Sequence, residues 1–399
     1  MEEQTAVCIV GAGPAGLVLA LMLLESGVPC QVLERLDEEA FRNRRAGAGL
    51  IEHRTVQLLD EHGLAEPILA RGGANDVCEF RFEGQAFVLE YGALTGGRGH
   101  FIYAQHELVG ALARRFTEGG GDIRFGVHVT GVEQSTEAAI VSGVAGGEAV
   151  RVGCEFVAGC DGARSGLLGA MRHASIIERQ HPFRWLTLLA DVAPSKPRTL
   201  YGFHARGFAG QMRRGPALTR FMLEVPRGDS VEDWPDERIW PELEERLAAA
   251  GEPALARGAL IGCDVLDLRV RVVAPLHDGR VFLTGDAGHL ITPAGGKGMN
   301  LAIHDAVELG LGLQEKYRHG SDRRLGSYTA SRLPAIWRTQ QFSDWMLSLL
   351  HASVSQPGPG EPEEPSDFGY QLRRARLQEL IDDPNLSRWF AYSYAGVDY

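Results

Sequence analysis

Directly after a short apolar run at 281–284 come Gly285 and Asp286, then a turn-rich segment, Thr292-Pro-Ala-Gly-Gly-Lys-Gly298, that opens into a helical pattern from Met299. A run of that length has the size of a buried strand. A carboxylate at its end can accept from sugar hydroxyls, and the free N–H groups of a helix start attract anionic oxygens. Strand, acid, glycine loop and helix in this order suit a polyhydroxylated, partly anionic ligand. The same order also makes an ordinary strand-to-helix connection, so the stretch needs a second half.

The first fifty residues contain one. Residues 6–35 read AVCIVGAGPAGLVLALMLLESGVPCQVLER. A buried strand ends at Val10, Gly11-Ala-Gly13-Pro-Ala15-Gly16 turns the chain, a helix runs to Glu25, and a second strand at 31–33 leads into Glu34 and Arg35. The first glycine makes the tight turn, the second admits a pyrophosphate to the backbone, and the third lets helix pack on strand, with the acid reaching a ribose. The spacing predicts a dinucleotide site. Arg42, Arg44 and Arg45 follow, next to Ala46-Gly47-Ala48-Gly49. They are either solvated surface or a second grip on the pyrophosphate with close backbone approach.

Composition sets outer limits. The chain has 399 residues, enough for two or more domains, with 44% hydrophobic and 23% charged residues, an ordinary globular balance. A net charge of −12 argues against non-specific nucleic-acid binding. Six scattered cysteines form no CxxC, and no metal-ligand spacing is evident, so no metal is expected. No segment approaches the roughly 18 apolar residues of a membrane span, and no signal peptide is evident, which leads us to expect a cytoplasmic protein.

The elements that must position these residues follow in order. Helices are expected at 52–62 and 105–117. Short alternating strands at 122–158 form an antiparallel meander that closes on Cys160-Asp161-Gly162-Ala-Arg-Ser165. Residues 183–225 give three or four strands interspersed with Tyr201, Arg213, Arg214 and Arg220. A helix at 235–249 and a strand at 259–273 return the chain to residue 280. Helices at 305–316, 328–351, 371–382 and 387–394 complete it, with an acidic, proline-rich loop at 357–365.

Three signatures therefore stand in order: GAGPAG with Glu34-Arg35, CDGARS at 160–165 and GDAGH at 285–289. Together they resemble the single-component, FAD-dependent aromatic hydroxylases. PFRWLTLLAD at 182–191, LYGFHARGFA at 200–209 and a late Tyr394-Ala-Gly are similar to the 4-hydroxybenzoate 3-hydroxylase family over nearly the whole chain. The resemblance implies an α/β fold: a Rossmann-like FAD-binding domain at 1–178 and 270–310, an inserted β-sheet substrate domain at 179–269, and C-terminal helices at 311–399. It implies FAD, with NADH or NADPH as reductant. O2 adds to the reduced flavin to give a flavin hydroperoxide, whose distal oxygen attacks a phenolate ring. A small aromatic acid and O2 are the expected partners, and a homodimer the implied assembly. The protein's part is to position and polarise.

By resemblance, Tyr201 contacts the phenolic oxygen, Tyr394 continues its proton path, and the Pro293 carbonyl lies near the ring hydroxyl. Arg214 clamps the substrate carboxylate. Ala15, Glu34, Arg35, Arg45, Gln105, Asp161, Asp286, Met299 and Asn300 match FAD contacts, joined by Gly11, Gly13, Gly16 and Gly298. Trp185 is expected to line the substrate pocket. Three departures stand out. Met212 and Met222 replace a serine and a tyrosine of the carboxylate clamp, Thr199 and Gly210 replace leucines, and Asn75 or Asp76 occupies the region of a relay histidine. These changes point to a substituted 4-hydroxybenzoate such as 3-amino-4-hydroxybenzoate, with plain 4-hydroxybenzoate as the alternative. Residues 36–39, Leu-Asp-Glu-Glu, would repel a 2′-phosphate, so NADH is expected to serve at least as well as NADPH. A flavoprotein halogenase is a rival reading, but its tryptophan motif and catalytic lysine are not found. A non-catalytic nucleotide-fold carrier is a second rival, and it would not need the Tyr201, Arg214 and Tyr394 set.

Overall fold

The computed structural model describes residues 3–44, 47, 49–351 and 367–397. Arg45 and the loop expected at 357–365 lie outside the described residues. The chain divides into two compact units, one of residues 1–72, 103–179 and 270–340, the other of 73–102, 180–269 and 341–399.

The first unit is built on a mostly parallel sheet. Its central strand, Glu3–Val10, pairs in parallel with Cys30–Leu33 on one side and with Glu148–Gly159 on the other. Val281–Leu283 extends the sheet beyond Glu148–Gly159, and Asp122–Arg124 extends it beyond Cys30–Leu33. Val7 to Val10 are all buried, as expected where helices cover both faces of a parallel sheet. The helix Pro14–Glu25 starts on proline, whose fixed φ suits a first turn, and buries every residue from Ala15 to Leu23. The expected meander is present, with Val127–Gln134, Ala139–Ala145 and Glu148–Gly159 pairing antiparallel in succession. The helical pattern from Met299 and the helix expected at 305–316 form one helix, Gly298–His319, which ends at Gly320 with φ 68°.

The second unit is a sheet in the order Ala259–Ala274, Ser175–Asp191, Thr219–Pro226, Ala209–Arg213, Thr199–Phe203, Cys78–Phe82, Gln85–Leu89. Side chains alternate between its faces. Leu186, Leu188, Leu200, Ala209, Phe221, Leu223 and Val225 point to one face, where they meet Trp240, Leu243 and Leu247 in and just after the helix Asp236–Arg246. Each of the larger aliphatic and phenyl side chains, fully buried, contributes roughly 1.5–3 kcal/mol, so this face anchors the sheet. The opposite parity carries Trp185, Tyr201, Gly210 and Met222.

This division differs from the one drawn from sequence. Residues 73–102 join the substrate unit, where Cys78–Phe82 pairs in parallel with Thr199–Phe203. The C-terminal helices form no unit of their own: residues up to 340 go with the nucleotide unit and those beyond with the sheet. Pairing between strands 121 residues apart leaves no local mark in a sequence.

Candidate active site

In the nucleotide unit the turn after the first strand is fixed by close backbone contacts. Gly11 has φ 102°, and a Cβ there would lie 2.4 Å from the Cys160 carbonyl oxygen. A Cβ on Gly16 would lie 2.0 Å from the Gly11 oxygen. Gly13 is different. Its nearest neighbour would be the Cys160 oxygen at 4.0 Å, so the protein leaves this side of the turn open. Glu34 is held at the next strand end by the Ala12 and Leu36 N–H groups, each donating at 2.9 Å. Arg35 is exposed.

Several polar groups here lack protein partners. Arg44 lies 3.6 Å from the Phe41 ring centroid and donates from Nε to the Phe41 carbonyl, while its buried Nη2 has no partner among the described residues. Burial lowers its pKa, and Glu34 pulls it partly back. Asp161 accepts from Gly166 N–H through Oδ2, but Oδ1 is buried without a partner, and burial raises its pKa. Burial likewise raises Asp286, against the opposing pull of His289 and Arg271. Asp286 faces the start of the long helix, where a Cβ on Gly298 would stand 3.9 Å from its Oδ1. An open glycine turn, an unmatched guanidinium, the unmatched oxygen of Asp161 and the carboxylate of Asp286 fit the pyrophosphate and hydroxyl groups of FAD.

Other predicted contacts have structural duties as well. Asn300 accepts from Glu52 N–H and donates to the carbonyls of Leu50 and Gly296, so its side chain clamps the glycine loop. Gln105 begins the helix Gln105–Glu118 and lies against the backbone of Gly47. Met299 is buried beside Asn300 in the first turn of its helix. The Pro293 carbonyl accepts from Gly296 N–H at 3.0 Å, closing a turn.

Sequence reasoning missed three positioning residues. Arg271 donates to the carbonyls of both Ala163 and Asp286, tying the two acidic loops together. Asp305 takes the Gly285 N–H, His289 Nε2 and Arg332 Nε, and so holds the turn that presents Asp286. Lys297 Nζ meets Glu52 Oε1 at 2.5 Å in a buried pair under the helix start. Arg271 and Lys297 stood as isolated cations in the sequence, and nothing local named their partners. Among the described residues no group of histidine, cysteine and acidic side chains is placed to hold a metal.

In the sheet unit, strand parity gathers the predicted substrate residues on one face. Tyr201 is opposite Gly210, and Gly210 is opposite Met222. Thr199, Met212 and Arg220 form the next row on that face. The Tyr201 hydroxyl lies 2.7 Å from that of Tyr394, which comes from the helix Pro384–Ala395. Burial holds both phenols above their ordinary range, so they stay protonated near neutrality.

Arg214 stands one residue past the strand Ala209–Arg213, in the turn to Thr219–Pro226. Its Nε is buried and has no partner among the described residues, and burial, reinforced by Arg220, lowers its pKa to about 10. It remains a cation at neutral pH. Trp185 is committed within the protein. Its indole N–H donates to His351 Nε2 at 2.6 Å and its ring stacks on Phe208, which makes it a wall.

Gly210 stands where the family has a leucine, yet it leaves no free space: a Cβ there would meet Met222 Cε and Phe208 Cζ, each at 2.8 Å. The neighbouring strand fills what the glycine vacates. Met222 is unbranched and can rotate away, so any room here is conditional on its rotamer.

The profile of the FAD binding domain family matches residues 4–343. The p-hydroxybenzoate hydroxylase of Acinetobacter baylyi is 31% identical over 99% of this chain and 96% of its own length. This chain belongs to that family of FAD-dependent aromatic hydroxylases. A rifampicin monooxygenase of Streptomyces venezuelae is 28% identical over 96% of the chain and 76% of its own length. The p-nitrophenol 4-monooxygenase of Pseudomonas putida shares the fold, with TM-score 0.84, 20% identity and full coverage of both chains. The chain is thus an FAD-dependent monooxygenase that hydroxylates aromatic rings, in a family that draws electrons from NADH or NADPH. No helix among the described residues is long and apolar enough to cross a membrane.

Proposed function

We propose that this hydroxylase acts on an aromatic ring carrying a carboxylate and a para hydroxyl, a 4-hydroxybenzoate. The observation that carries this reading is Arg214, a cation whose buried Nε has no partner among the described residues, beside Arg220 in the unit that holds the buried Tyr201–Tyr394 hydroxyl pair. A buried unmatched donor is costly, and a carboxylate relieves it with a charge-assisted bond of about 1.5–3 kcal/mol.

FAD, when bound, takes electrons from NADH or NADPH and supplies an electrophilic oxygen from O2, the second oxygen leaving as water. The residues do the rest. Arg214 holds the acid end of the ring. Tyr201, kept neutral by burial, donates to the para oxygen and stabilises it as a phenolate, which enriches the ring for attack. Phe80, stacked on Tyr201 at 5.5 Å between centroids, helps exclude water from the hydroxyl pair.

Within this class we favour a substituted ring such as 3-amino-4-hydroxybenzoate. Met212 and Met222 offer no hydrogen bonds where the family clamp has a serine and a tyrosine, so plain 4-hydroxybenzoate would be held by fewer polar contacts. Plain 4-hydroxybenzoate is the second reading, favoured by the filled space over Gly210. Comparative kcat/KM across 3-substituted and plain 4-hydroxybenzoates, with product identification, separates them. Tightly coupled hydroxylation of plain 4-hydroxybenzoate at far higher kcat/KM overturns the first. Six free cysteines support a reducing, cytoplasmic setting. A homodimer is the assembly we expect, and sedimentation of the holoenzyme tests it.

A further inference from the structure

His351 stands directly after the helix Arg323–Leu350, 2% exposed, among three aromatic rings of the sheet unit. Its Nδ1 lies 3.1 Å from the Leu347 carbonyl, and its Nε2 lies 2.6 Å from the indole nitrogen of Trp185. A carbonyl only accepts and an indole N–H only donates. Donor counting therefore fixes one neutral tautomer, with the proton on Nδ1 and the lone pair of Nε2 taking the indole proton. Burial pushes the imidazole well below its ordinary range, and Arg373 and His181 add to this against the pull of the Leu347 carbonyl, so the neutral ring persists at neutral pH.

The imidazole is itself pinned. It stacks on Phe183 with centroids 4.5 Å and planes 12° apart, and Phe208 packs against it at 4.8 Å. Trp185 needs such an anchor. The torsion that turns an aromatic ring on its Cβ is broad and roughly two-fold, so apolar packing alone lets the indole present either edge. The buried N–H removes that freedom, because turning the indole over leaves it without its acceptor. Phe208, stacked on Trp185 at 5.1 Å, is held with it.

Strand register places these two rings relative to the substrate residues. On their shared face Trp185 is opposite Glu224. The next row is Thr187, Met222, Gly210 and Tyr201, and the row after it holds Met212 and Arg220, toward Arg214. Trp185 thus stands on the side of the Tyr201 row away from Arg214. Phe208 reaches into that row, its ring 6.4 Å from that of Tyr201 and its Cζ 2.8 Å from the place of a Gly210 Cβ. A substrate held by its carboxylate at Arg214 points its hydroxyl end toward this wall.

We propose that His351 is a positioning residue for specificity: by holding the Trp185 indole in one orientation, and Phe208 with it, it limits the size of group a substrate carries beside its hydroxyl. This rests on the reading above that a 4-hydroxybenzoate lies on this face with its carboxylate at Arg214. His351 touches the wall and not the substrate.

The test uses the full FAD-loaded chain, isotope-labelled at tryptophan, with 4-hydroxybenzoate and 3-methoxy-4-hydroxybenzoate as probes. Of the six tryptophans, the indole N–H resonance lost in Trp185→Phe is that of Trp185, expected at the low field of a strong hydrogen bond. His351→Leu, and His351→Phe, which keeps the stack on Phe183, should move this resonance upfield. Both should lower the ratio of Kd for the 3-methoxy probe to Kd for the plain one by roughly tenfold, with KM following Kd and kcat changing less. His351→Gln, whose amide oxygen can accept from the indole, should restore resonance and ratio. In a Trp185→Phe background, which has no indole N–H, His351→Phe should leave the ratio within about twofold of that background alone. An unchanged ratio in His351→Leu and His351→Phe overturns the proposal, as does a change that persists undiminished without the indole, which assigns His351 to packing alone. Either result leaves the substrate reading standing. A wild type that binds neither probe strikes down that reading, and this proposal with it.

Discussion

Gly13 and Arg214 represent two ways of leaving room for a ligand. In the nucleotide unit the site is a matter of missing atoms. Gly11 and Gly16 are glycine because protein backbone lies where a side chain would be, whereas Gly13 is glycine with nothing of the protein in that place. In the sheet unit the site is a matter of unmatched atoms. Arg214 brings a charge to a face whose other groups are packed or paired. The first kind of site is rigid before its ligand arrives, and the second gains most of its order from what it binds.

The comparison breaks most sharply at the glycines. Gly11→Ala forces both a positive φ and a clash with Cys160, so it should destabilise the apoprotein by roughly 3 kcal/mol or more. Gly13→Ala adopts an ordinary helix-cap conformation, with φ −79° and ψ −175°. It should leave apoprotein stability within about 0.5 kcal/mol while weakening FAD binding by roughly tenfold to a hundredfold. Urea denaturation of both apoproteins, paired with FAD titration, decides the matter. Equal losses of stability would erase the distinction.

On the sheet side, Arg214→Met is expected to raise the Kd of a benzoate ligand by a factor reflecting about 1.5–3 kcal/mol, with FAD retention unchanged. The apoprotein should be no less stable, since the variant removes a buried donor without a partner. A large loss of apoprotein stability would instead assign Arg214 a structural task.

How far these sites were legible follows from the same contrast. The glycine turn, Glu34 and Asp286 were readable because their constraints act within a few residues, in a strand–turn–helix that has a spacing. The substrate face was half readable. The family resemblance named Tyr201, Gly210 and Met212, but register alone shows that they share a face and that Met222 covers Gly210. Cys78–Phe82 was not read as part of this sheet, since its partner is 121 residues away. Arg271, Asp305 and Lys297 were invisible as positioning groups for the same reason. Their meaning lies in who faces them.

A pH measurement sharpens the nucleotide half. Burial alone would raise Asp305, but His289 and Arg332 outweigh it and bring it from 3.8 down to about 2. A depressed folded value means stability that is complete above about pH 4 and lost as pH falls toward 2, amounting to roughly 2 kcal/mol. The stability difference between wild type and Asp305→Asn should shrink by that amount across this window in denaturant titrations. Asp161 and Asp286, raised by burial, offer no such gain before FAD is bound.

The smallest effect concerns the reductant. Asp37 caps the helix Glu38–Arg42 by accepting from Ala40 N–H at 2.7 Å, so its carboxylate is fixed in place. Glu38 pairs with Arg42 at 2.5 Å on the surface, which engages one of the cations near the segment with an internal partner. A 2′-phosphate approaching residues 37–39 therefore meets three carboxylates, with the Arg42 guanidinium already engaged. NADH is expected to be used at least as efficiently as NADPH. Exposed pairs contribute at most about 1 kcal/mol, so Glu38→Gln, which releases Arg42, should improve NADPH relative to NADH by no more than roughly fivefold. Raising the ionic strength should shrink that gain, because the charges involved face water. Steady-state kcat/KM for both reductants at low and high salt measures it, and a strong NADPH preference in the wild type would mean that the acidic segment does not read the phosphate at all.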